Sequence, residues 1–277
     1  MMTRAGARPG RFMLALLILA VPVALALLGP LFAGGPGPRA PSFALGGGHW
    51  LGTDFVGRDT WRQVLLGGRS VVAVALVSTG LAYLVALPVG LTGALTHRVW
   101  LDELLMRPLD VLLAVPSLLL ILLVACVVSP GAVGLALLVA LVNVPDAARM
   151  VRATAAEAAS RPAVEALRMQ GESWWRMAIG YVGRSAARTL AADAGMRLTG
   201  VLHLVSTAAF LGVGVAPDAA DWAVMVDRNR TGLFLQPWAV VVPALLIIAL
   251  TMGSNLLFDA ALEKPYRKRG IGCGHGR

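Results

Sequence analysis

Apolar residues in this chain do not alternate with polar ones. They gather in blocks, and the short stretches between the blocks hold nearly all of the charge. The blocks fall at about 12–33, 70–95, 108–128, 131–147, 188–214 and 237–257. A helix crosses the hydrocarbon core of a bilayer in about 20 residues, which is the length of such a block. In lipid every backbone polar group needs an internal partner, so only helices and closed barrels span it, and continuous apolar runs exclude the alternating barrel pattern. The pattern therefore predicts an all-α, polytopic membrane protein with about six transmembrane helices. The fourth block (GAVGLALLVALVNVP) is short, and the fifth is interrupted by Asp193, Arg197 and His203.

Composition agrees. Of 277 residues, 57% are hydrophobic and 14% charged, and mean hydropathy is +0.75; soluble domains carry about a quarter charged residues. The net charge of +9 does not read as a nucleic-acid face, because the basic residues sit in the gaps between apolar blocks. With the N-terminus in the cytoplasm, 17 of the 24 Lys and Arg fall in cytoplasmic segments, six fall outside, and Arg197 lies within a block. That bias predicts both termini inside. The first block contains Pro22 and lacks a small-residue cleavage site before GGPGPRAP, so it reads as a retained span. Cys126 and Cys273 imply no disulfide framework, and the four histidines lack metal-ligand spacing. The tail GCGHGR, with Cys273 and His275, reads as flexible. No GxxxxGK[ST], GxSxG or HExxH occurs, so the chain has no Walker-type ATP site, and polar residues are too sparse for a membrane-embedded enzyme.

Three stretches carry candidate chemistry. In the first, 49–69, Gly52 and Gly57 suit turns, and Asp54 and Asp59 suit caps. With Thr53 and Arg58 they precede Trp61, Val64, Leu65 and Leu66, which form the apolar face of a short amphipathic helix at the outer surface. In the second, AARMVRATAAEAASR favours helix, Pro162 marks a break or first turn, and AVEALRMQ resumes helix until Gly171. Glu165, Ala166, Arg168 and Glu172 lie there, on a hairpin that the charges hold at the cytoplasmic surface. The third is the fifth block. Asp193 and Arg197, spaced i, i+4, share a face; they read either as an ion pair near the interface or as part of a translocation path. His203, deeper in the block, is a further path candidate.

Glu165, Ala166 and Gly171 resemble the EAAxxxG motif of bacterial ABC importer permeases. HWLGTDFVGRDTW resembles the HxLGTDxxGRD signature of the C-type subunit in the dipeptide, oligopeptide and nickel permeases. The likeness extends through LMRPLDVLLAVPSLLL, FLGVG at 210–214, Trp222-Ala-Val-Met225 and QPWAVVVPALLIIALTMGSNLLFDAALEKPYRKR, in order from residue 49 to about 268. Two departures stand out: Leu167 replaces the second alanine of the motif, and Arg184 falls where its closing proline would be. The stretch before the motif is also unusually alanine-rich.

The resemblance implies a type I importer fold in the bacterial cytoplasmic membrane. Residues 1–33 would be the cytoplasmic start and first span, 34–69 an extracytoplasmic segment, 70–258 the permease domain with its coupling segment at about 148–184, and 259–277 a basic cytoplasmic tail. It further implies a homologous second permease, two ATP-binding subunits carrying ATP and Mg, and an extracytoplasmic solute-binding protein that meets 49–69 and 215–236. This chain itself would bind membrane lipid but no cofactor, metal or nucleic acid. The substrate would be a dipeptide or oligopeptide, or alternatively nickel or a metal chelate. The rival class is a secondary transporter or channel that works without an ATPase.

Overall fold

The computed structural model describes residues 9–96, 98–216 and 218–262. His97, the N-terminal arginines Arg4 and Arg8, and the basic tail with Cys273 and His275 lie outside the described residues. The chain forms α1 (Pro9–Phe32), α2 (Thr60–Leu95), α3 (Val99–Leu113), α4 (Ser117–Val128), α5 (Ala132–Ala159) and α6 (Pro162–Met169). A π-helical turn (Arg176–Gly183) leads into α7 (Arg184–Phe210), followed by α8 (Trp222–Asn229) and α9 (Trp238–Leu262). Only two isolated bridges, Gly46 with His49 and Thr53 with Asp59, have strand character among the described residues.

Four of these helices, α1, α2, α5 and α9, are long and apolar enough to cross a membrane; α3 and α4 together supply a fifth candidate, bent by 83°. The third expected span is thus broken. Pro116 lacks an N–H and disfavours helix at Val115, so α3 ends at Leu113 and Pro116 opens α4. The fifth expected span is α7, a 27-residue helix whose charges keep it out of the apolar set.

The separate surface helix expected near 60–69 is instead the start of α2, which runs 36 residues unbroken, about 54 Å. Gly67 and Gly68 do not end it, because the Trp222 ring packs on both; an added Cβ would meet that ring at 2.8 and 2.4 Å. Asp59 caps α2 as expected, accepting from the N–H groups of Trp61 and Arg62. Along its length α2 packs on α5 through small residues. Gly90 lets Val151 approach so closely that an added Cβ would stand 2.7 Å from it, and Ala86, Ala147 and Ala148 are fully buried beside it. Close backbone approach of this kind suits helices in lipid, where burial of oily surface gives no drive to associate. Ala147, Ala148, Ala155 and Ala158 of the 147–158 stretch are therefore packing residues.

One core gathers Val64, Val71, Leu135, Val139, Val205 and Trp222. A second core, at the opposite end of α2, joins Leu95, Ala155, Val164, Met177 and Val182. The connecting segments consequently divide between two ends of the bundle: 34–59 and 211–237 at one, the hairpin around α6 at the other.

Candidate functional site

At the hairpin end, α5 carries the chain out of the bundle without a break and stops at Ala159. Pro162 then occupies the first position of α6, where its fixed φ suits the first turn and its missing N–H costs nothing. The helix ends as a Schellman motif: Gly171 at φ +75° donates to Arg168 O at 2.9 Å, and Glu172 N–H donates to Leu167 O at 3.1 Å. A non-glycine residue at that φ would be strained, so the glycine fixes the sharp turn. Glu165 in the first turn and Arg168 in the last both match the helix dipole.

The two faces of α6 differ. Val164 is buried and Leu167 half-buried against the hairpin core of Ala155, Met177 and Val182, while Glu165, Met169 and Gln170 are exposed and Ala166 is half-exposed. Leu167 therefore fills the inner face and leaves the outward face unchanged. Glu172, half-buried, receives two hydrogen bonds from Arg176 Nη1, at 2.8 and 3.0 Å, so it secures the corner. Arg161 bridges to Ser185 at 2.8 Å across the hairpin. The return leg needs no proline: Trp174 and Trp175 start a helix that passes through the π turn directly into α7. Two ion pairs outside the motif, Asp102 with Arg152 and Asp110 with Arg149, fasten α3 to the emerging end of α5.

Asp193 and Arg197 form the ion pair their spacing predicts, Nε to Oδ2 at 2.7 Å. The structure adds two partners that spacing could not reveal. Tyr83 on α2 donates its hydroxyl to Asp193, and Arg197 Nη2 donates to the Asp146 carbonyl on α5 at 2.9 Å. The pair thus ties α2, α5 and α7 together. His203 is exposed on α7 and stands apart from this network.

At the other end, the GTDFVGRD stretch is a knot of internal contacts. Buried Thr53 donates to Pro41 O at 2.6 Å and accepts from Ala44 N–H at 2.9 Å. Asp54, also buried, accepts from the N–H groups of Val56 and Arg58 at 3.0 and 2.7 Å. Gly52 and Gly57 take positive φ, with Ala44 O and Ala40 O pressed against them. Arg58 reaches Asp218 O at 2.7 Å, and His49 contacts Asp59 at 3.2 Å.

This knot and the 211–237 segment form one cap at this end of the bundle. Phe55 N–H donates to Asn229 Oδ1 at 2.9 Å, Trp222 Nε1 donates to Val64 O at 2.8 Å, and buried Gln236 bonds Leu51 O. Sequence reasoning missed Tyr83, Asn229 and Gln236, whose partners lie 110 to 185 residues away. Asp221 caps α8 while almost wholly buried. Burial pushes its carboxyl above the usual carboxylate range, against hydrogen bonds from Ala223, Ser70 and Val224 that pull it down.

Residues 86–264 match the family described as "Binding-protein-dependent transport system inner membrane component". Among curated proteins, a probable D,D-dipeptide transport system permease protein of Escherichia coli (strain K12) is 30% identical over 212 residues, covering 76% of this chain and 70% of that protein. A glutathione transport system permease protein of Pectobacterium atrosepticum is 27% identical, with the same coverage of both chains. A putative peptide permease protein of Brucella abortus is 29% identical over 213 residues, again covering 76% and 70%.

Proposed function

Because this chain belongs to the inner-membrane components of binding-protein-dependent transport systems, it is a multi-pass permease subunit of such an importer, and we propose that its cargo is a dipeptide or oligopeptide. The relatives' names support this choice: all three concern peptides or glutathione, none nickel. A secondary transporter or channel, working alone, is not a member of such a family.

In this reading the chain pairs with a homologous permease to form half of the path. Two ATP-binding subunits on the cytoplasmic side hold ATP and Mg. The hairpin end is cytoplasmic, as are both termini, and the outer cap of 34–59 and 211–237 receives the solute-binding protein. The observation that carries the reading is α6: its inner face is buried, its outer face offers Glu165, Ala166 and Met169, and a glycine turn at Gly171 fixes its exit. A rigid helix seated in a groove of the ATP-binding subunit transmits its movement as a body. The long α5 and the continuous return helix would carry that movement into the bundle. Reconstituted with its partners, Glu165→Arg is expected to insert and assemble while losing transport driven by ATP hydrolysis; transport at the unaltered rate would refute the docking role of α6.

A further inference from the structure

Between the hairpin end of α2 and the return helix lies a groove of about 660 Å³ that the docking account does not use. Its volume falls within the range of about 300–1,000 Å³ typical of small-molecule sites. Leu87 and Leu91 line one wall, Trp174, Trp175 and Ile179 the other, and Arg184 stands among them. Trp174 and Trp175 meet edge to face, with centroids 4.8 Å apart. Arg188 follows one turn along the same flank of α7. Both arginines are exposed, and neither has a hydrogen-bond or ion-pair partner among the described residues.

An oily slot, two indoles and the Arg184 guanidinium at its rim, with Arg188 one turn further along α7, match one class of molecule. Tryptophan favours the membrane–water interface, guanidinium binds phosphate in a bidentate fork, and acyl chains suit the leucine and isoleucine walls. We propose that this groove holds an anionic phospholipid of the leaflet from which the 148–184 hairpin projects. A protein helix is the poorer occupant, because it would bury Arg184 unless it brought an acid to the same spot, and an uncompensated buried charge is strongly destabilising. The lipid would brace the return leg at its π turn. The site depends on membrane location alone, whatever cargo is carried.

The test uses the full chain in vesicles containing brominated phosphatidylglycerol or brominated phosphatidylcholine. Quenching of Trp174 and Trp175 is obtained by difference from a Trp174→Phe/Trp175→Phe variant. Phosphatidylglycerol is expected to be preferred, each arginine contributing about fivefold. Arg184→Gln should lower the preference about fivefold, Arg184→Lys should keep most of it, and Arg184→Gln/Arg188→Gln should abolish it. Equal quenching by the two lipids, or a preference that survives loss of both arginines, overturns the proposal. So does exclusion of both lipids from these indoles in the assembled importer, which would mean that a protein subunit covers the groove.

Discussion

A methyl group on Gly57 would come within 1.9 Å of the Ala40 carbonyl oxygen, at a φ of +77°. Gly57→Ala therefore combines left-handed strain with a backbone clash. It is expected to destabilise the outer cap by about 1–3 kcal/mol, read as a lower thermal midpoint of the detergent-solubilised chain. Leu167 poses the opposite case. By the motif it is a defect, yet its side chain packs on the hairpin core. Leu167→Ala, which restores the alanine, should loosen the hairpin by about 1–2 kcal/mol and speed hydrogen exchange across 162–183 without improving coupling. Asp221 gives a pH signature. Its folded carboxyl holds the proton more tightly than an unfolded one, whose value is about 3.9, so the folded state binds more protons in that window. Stability should fall as pH rises from about 4 through the raised folded value. The thermal midpoint of Asp221→Asn should lack that slope.

At the scale of elements, the apolar blocks marked where helices lie but not how they connect. Nothing in GGRSVV says that the helix begun at Thr60 continues into the span; a tryptophan 155 residues downstream of Gly67, Trp222, decides it. The bend between α3 and α4 was written at Pro116, although a proline inside a span is compatible with either a kink or a break. Local signals fared best: Asp59, Pro162 and Gly171 each do what their chemistry dictates, since a cap or a stop needs only neighbours within a turn. For Asp193 and Arg197, spacing predicted the pair but not its tie to Tyr83 and Asp146. That tie makes the pair a clamp on three helices. Removing one partner strands a buried charge, so Asp193→Leu alone should cost about 3–5 kcal/mol, while Asp193→Leu/Arg197→Leu should recover most of it. Thermal unfolding of the two variants in detergent separates these outcomes.

For the whole molecule, the division into two ends follows from α2 and α5, which run from the outer cap to the hairpin packed on one another through small residues. The short helix α6 and its glycine exit were legible because Pro162, Glu165 and Gly171 are close in sequence. The outer cap was legible only as two separate segments, since Asn229 and Gln236 act on partners far along the chain. What unites the account is the proposal that α6 is a surface for another protein. Cysteine cross-linking in the assembled importer tests this most directly, in a chain whose native Cys126 and Cys273 are replaced. Cysteines introduced at Glu165 or Met169 should cross-link to an ATP-binding subunit, and one at Trp50, exposed at the outer cap, should not. Failure of both α6 positions to cross-link, or cross-linking from Trp50, would contradict it.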